Sequence, residues 1–116
     1  MGKYYYHASS PCNRESIKLS GLIPSVGECY NFHYQEFNRR YPNQTQDIYP
    51  CIFLAPTKNA FWTGKIDLIR IKRSALCQSA ITQDIVMGKR RRCIRYSKPI
   101  SPNELEWIEE AENEQH

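Results

Sequence analysis

Cys51-Ile52-Phe53-Leu54-Ala55 is a continuous apolar run closed by Pro56, the pattern of a β-strand covered on both faces. Such a strand needs a sheet beside it and a layer on each side. A chain of 116 residues has room for one compact domain to provide them. The other segments are read around this strand. Tyr4-Tyr5-Tyr6-His7 favours β structure and Pro11 stops it. Asn13 as N-cap, apolar Ile17 and Leu19, and Gly21 as the residue past the end predict a short helix. The stretch 25–50 is aromatic-rich and aperiodic, with Tyr30, Phe32, Tyr34, Phe37 and Tyr41 giving one irregular helix that stops at the Tyr41-Pro42 break. Thr57 caps a helical turn reaching Trp62, which Gly64 ends. Residues 66–72 alternate as a strand. Two more strands, 80–87 and 92–96, are joined through Gly88-Lys89 as a hairpin, and Ser101 or Asn103 caps a last amphipathic helix carrying Leu105, Trp107 and Ile108. The order β-α-β-α-β-β-β-α predicts an α+β domain over 1–108, followed by an acidic tail at 109–116.

Composition narrows the class. With 41% hydrophobic and 24% charged residues, disorder, collagen-like and coiled-coil chains are excluded. No apolar run approaches the roughly 18 residues that span a bilayer, and MGKYYYHASS lacks a signal peptide's apolar centre. A cytoplasmic location without membrane contact is expected. Five cysteines with no CxxC pair predict reduced thiols. Cys29 and His33 have the spacing of half a zinc site, but no second close pair completes it, so no metal is expected.

Charge is uneven. Sixteen basic and six acidic residues precede Asn103, a formal +10, whereas the last fourteen residues hold six Glu and no Lys or Arg. Lys89, Arg90, Arg91, Arg92, Arg95 and Lys98 crowd one segment. That density attracts anions without naming one: a nucleic acid, a dinucleotide, an acidic protein, or the chain's own tail. A solvated face balanced by the tail is the plainer reading.

Three segments resemble the ADP-ribosyltransferase superfamily, which includes poly(ADP-ribose) polymerase-like domains and tRNA 2′-phosphotransferases. Tyr6-His7-Ala8-Ser9 with the Gly21-Leu22-Ile23-Pro24 exit is similar to the family's strand ending in His-Gly-Ser/Thr and its following helix. Ile52-Phe53-Leu54-Ala55 and Thr57 to Trp62 resemble its Tyr-Phe-Ala strand and Lys-Ser-Ala turn. Cys93-Ile94-Arg95-Tyr96 leading to Ile100-Ser101-Pro102 is similar to its last core strand and exit. The resemblance implies a small split, antiparallel-rich sheet with short edge helices.

It also implies NAD as substrate, or another ADP-ribose-containing ligand. His7 would hydrogen-bond a ribose hydroxyl, Ala8 and Ser9 would fix the nicotinamide side, Asn59 would bind the carboxamide, and Trp62 would stack on the ring. Apart from the resemblance, His7 is an ordinary histidine and Trp62 a core anchor. Members of the family place a Glu on the last core strand, where this chain has Arg91, Arg92 and Cys93. A cation there disfavours an oxocarbenium-like ribose. Glu104 and Glu106 are the nearest acids and the candidate catalytic residues. Alternatively, Lys58, Arg92 and Arg95 would bind a phosphate. Two function classes follow: a transferase acting on a protein or nucleic-acid acceptor, or a non-catalytic module that docks nucleic acid or acidic protein through the basic segment.

Overall fold

The computed structural model describes residues 2–58, 66–87 and 92–112. The apolar run supplies strand β2 (Ile52–Leu54), and it is covered on both faces as its composition requires. Ile52 and Leu54 enter the main core. Cys51 and Phe53 face the other way, into an aromatic cluster with Tyr30 and Tyr34. Those two tyrosines lie one turn apart on α2 (Glu28–Arg40) and are buried. Glu28 in its first turn and Arg39 and Arg40 in its last suit the helix dipole. The helix stops at Tyr41, because the residue before a proline is disfavoured in the α region.

β1 (Tyr4–Ser9) pairs antiparallel with β3 (Asp67–Lys72), which pairs with β6 (Leu105–Glu109). The second sheet is β2-β5-β4, with β5 (Ile94–Tyr96) between β2 and β4 (Ile81–Gln83). The sheets touch at one antiparallel bridge, where Tyr6 and Ala55 exchange two backbone bonds of 2.8 Å. Their inner faces, with Ile69, Ile71, Leu105, Ile52, Leu54, Ile94 and Tyr96, form the core, and Ile17 of α1 (Arg14–Ser20) joins it. The architecture is therefore the expected α+β, with two three-stranded antiparallel sheets and short helices.

Three local expectations change. The last element is strand β6 rather than a helix: Leu105 and Trp107 alternate onto the core face opposite Ile71 and Ile69, while Glu106 stands opposite Arg70. Pairing the open edge of β3 decides it. Ser101 caps only a three-residue turn, accepting from the Asn103 N–H. The strand expected at 80–87 is confined to Ile81–Gln83, after which Asp84 turns inward. The α1 cap moves from Asn13, which makes no side-chain capping bond, to Ser10, whose hydroxyl accepts from Cys12 N–H in the turn before the helix. Gly21 does end α1, with φ +80; a Cβ there would run into the Ile100 carbonyl. Most of the expected 57–62 turn and the Gly88-Lys89 hairpin lie outside the described residues.

The segment that follows β6 is anchored through Glu110 and Ala111. Asp67, fully buried, accepts from Arg14 Nε at 2.9 Å, Arg14 Nη2 at 2.7 Å and Ala111 N–H at 2.8 Å. Arg14 also donates to the Ala111 carbonyl, and Glu110 pairs with Arg14 and Lys18. β6 ends at Glu109, and Glu110 and Ala111 beyond it bond to α1 and β3.

Candidate functional site

A cleft of about 570 Å³ opens where β1 and β2 part beyond the Tyr6–Ala55 bridge, with α1 and the first turn of α2 forming its other walls. His7, Ala8 and Ser9 line it together. The strand positions them in sequence. Each residue's N–H and C=O point to one edge, and the edge alternates along the strand. Tyr6 uses the β2-side edge to pair with Ala55. The N–H and C=O of Ala8, two residues on, are turned to that same edge, one step past the bridge. Ala8 sits in regular strand and carries no positive-φ strain.

His7 is fixed by its Nδ1, 2.9 Å from the Phe53 carbonyl oxygen of β2. A carbonyl can only accept, so this nitrogen carries the proton and the neutral ring leaves Nε2 as an acceptor. Burial lowers the His7 pKa below its ordinary 6.5, against the opposing pull of the Phe53 bond. The ring is therefore neutral at pH 7. Among the described residues the Ser9 hydroxyl makes one long contact, 3.5 Å from the Ser10 carbonyl.

The remaining cleft groups are committed or uncharged. Tyr30 Oη donates to the Tyr49 carbonyl at 2.8 Å and accepts from Tyr49 N–H at 2.9 Å. Burial raises the Cys51 thiol, keeping it protonated. Ser16 and Ile17 come from α1; Gly27 and Cys29 come from the start of α2. Among the described lining residues there is no Asp, Glu, Lys or Arg.

The other sequence-derived candidates lie elsewhere. Glu106 pairs with Arg70 at 3.1 Å on the face of the β1-β3-β6 sheet opposite His7. Glu104 sits exposed in the 102–104 turn and does not line the cleft. Arg95 is 3% exposed, because β5 is the middle strand of its sheet. Its Nη1 donates to the Asp47 carbonyl at 2.9 Å and its guanidinium lies 4.7 Å from the Tyr49 ring centre. The guanidinium thus faces the Asp47 carbonyl and the Tyr34 and Tyr49 rings. Lys58 and Arg92 are exposed and lie away from the cleft lining; Arg92 has φ 54. Asn59 and Trp62 lie outside the described residues, as do Lys89, Arg90 and Arg91.

Two features had no sequence signal. Asp84, 1% exposed, accepts from Tyr34 Oη and from Val86 N–H, anchoring the 84–87 turn whose Met87 closes one side of the cleft. Cys77 lies 3.0 Å from Ser79 Oγ and 3.5 Å from Lys98 Nζ; the Ser79 bonds chiefly, then Lys98, hold its thiol below its usual pKa. Among the described residues no group of three His, Cys, Asp or Glu could hold a metal ion, and no helix is long and apolar enough to cross a membrane. Neither a family model, a curated protein nor a solved structure matches the chain.

Proposed function

We propose that the chain is an ADP-ribosyltransferase-like protein that binds NAD, or another ligand containing ADP-ribose, in the His7 cleft. The observation that carries this reading is the fixed, neutral His7 ring beside the outward-turned backbone of Ala8, at the point where two sheets separate. The cleft volume lies in the range of small-molecule sites. In this reading His7 Nε2 accepts a ribose hydroxyl, and Ala8 N–H and C=O pair with the carboxamide of nicotinamide. Ser9 adds a hydroxyl, and Trp62 supplies the stacking face that an electron-poor ring favours.

NAD supplies the activated glycosidic bond; the described residues bind and orient it. Because the described cleft wall bears no carboxylate and Glu106 is held by Arg70, binding without Glu-assisted transfer is the form of the reading that these residues favour.

Titrating NAD against the protein and following tryptophan fluorescence tests it. Wild type should show saturable quenching, lost in His7→Ala and diminished in Trp62→Phe. Nicotinamide release that disappears in His7→Ala would identify a transferase, and binding without release a non-catalytic member. A wild type that neither binds nor consumes NAD or ADP-ribose refutes the reading.

A further inference from the structure

A second groove, of about 800 Å³, lies between α2 and the 84–87 turn, sharing only Met87 with the His7 cleft. Eight large apolar side chains are exposed among the described residues, and four of them line this groove: Phe32 at 61%, Tyr41 at 47%, Ile85 at 43% and Met87 at 37%. Single exposed apolar residues are ordinary, but several gathered around one depression mark an interaction site. The groove also has a charge. Glu36 is held by Arg39 at 2.9 Å. Arg40 has no carboxylate within 4 Å among the described residues, and with His33 it lines the same groove.

Glu36 is taken up by Arg39, which leaves Arg40 outside any close ion pair among the described residues; an apolar groove along a helix with such a cation complements a segment with an apolar stripe and a carboxylate. We propose that this groove docks an anionic amphipathic segment of a partner protein, its apolar side chains covering Phe32, Tyr41 and Ile85 and its carboxylate pairing with Arg40. Apart from Met87, the docking face shares no lining residue with the His7 cleft.

Panning a random peptide library on the full chain is the test. Enriched peptides should combine aromatic or aliphatic residues with Asp or Glu. In fluorescence anisotropy, an enriched peptide should bind about tenfold or more weakly to Phe32→Ser and to Ile85→Ser. All three side chains to be changed are exposed, so the unfolding midpoints should stay near wild type. Arg40→Glu should weaken the same peptide, and a peptide whose acid is changed to Lys should regain affinity for Arg40→Glu, which loss of structure alone cannot produce. Failure to enrich any peptide, or equal binding to wild type and all three variants, overturns the proposal. So does a concentration-dependent dimer that Phe32→Ser dissolves, since it assigns the face to a second copy of the chain.

Discussion

Replacing Asp67 by Asn should cost the fold about 3–5 kcal/mol, the usual penalty for breaking a buried ion pair from one side. The carboxylate is fully buried and accepts three hydrogen bonds, two from Arg14 and one from the Ala111 amide. An amide cannot reproduce them: one oxygen becomes a donor, which then faces either the guanidinium or the Ala111 N–H. Against a total stability of about 5–15 kcal/mol the loss is large. For a domain of this size it corresponds to a fall in Tm of roughly 12–20 °C. Urea denaturation read by far-UV circular dichroism at pH 7 measures it. Two further results distinguish a specific pair from general disruption. The Arg14 bond chiefly, aided by the Ala111 amide, keeps the Asp67 pKa below its ordinary 3.8 despite burial. Its contribution is therefore complete above that value and disappears as pH falls through the lower native one, so the gap between wild type and Asp67→Asn should close in acid. Adding Arg14→Met to Asp67→Asn should cost less than the two single losses added, because the orphaned cation is removed. A loss under about 1 kcal/mol, or strict additivity of the two substitutions, refutes the reasoning.

Three other outcomes follow from single contacts. His7 has a native pKa below 6.5, so as pH drops below 6.5 the unfolded chain takes up a proton that the native ring refuses; stability should fall there, and less steeply in His7→Gln, as thermal melts across pH 5 to 7 would record. Gly21→Ala should destabilise by about 2 kcal/mol or more in urea titrations, since φ is +80 and the new methyl meets the Ile100 carbonyl. Tyr34→Phe should cost about 1–3 kcal/mol by removing the hydroxyl donor to buried Asp84; a melt within 1 °C of wild type would show that Asp84 does not need it.

The legible parts of the fold were those fixed by local pattern. An unbroken apolar run at 51–55 announces double burial, and Gly21 announces the end of α1. The helix at 28–40 was partly legible. Tyr30, Tyr34, Phe37 and Tyr41 follow helical spacing, and the segment looks aperiodic only when Phe32, which is exposed, is counted with them. β6 was hidden because Ser101, Leu105 and Ile108 also fit a capped helix, and only the unpaired edge of β3, more than thirty residues earlier, decides otherwise. Arg95 sits among charged neighbours that in sequence resemble a surface face, yet the sheet order puts β5 in the middle. The same limit applies to the site. His7, Ala8 and Ser9 are consecutive on one strand and could be found from sequence. The Phe53 carbonyl that sets the histidine tautomer, and Asp84 and Tyr34 behind Met87, come together only in three dimensions.

Met87 borders both depressions, one with His7 and one with Phe32. A shared partition makes the two occupants thermodynamic correspondents. Whatever factor a docked peptide imposes on small-molecule affinity, the small molecule must impose on the peptide. If Met87 carries that factor, Met87→Ala should bring it toward one, and the dissociation constant for joint occupancy toward the product of the two separate ones.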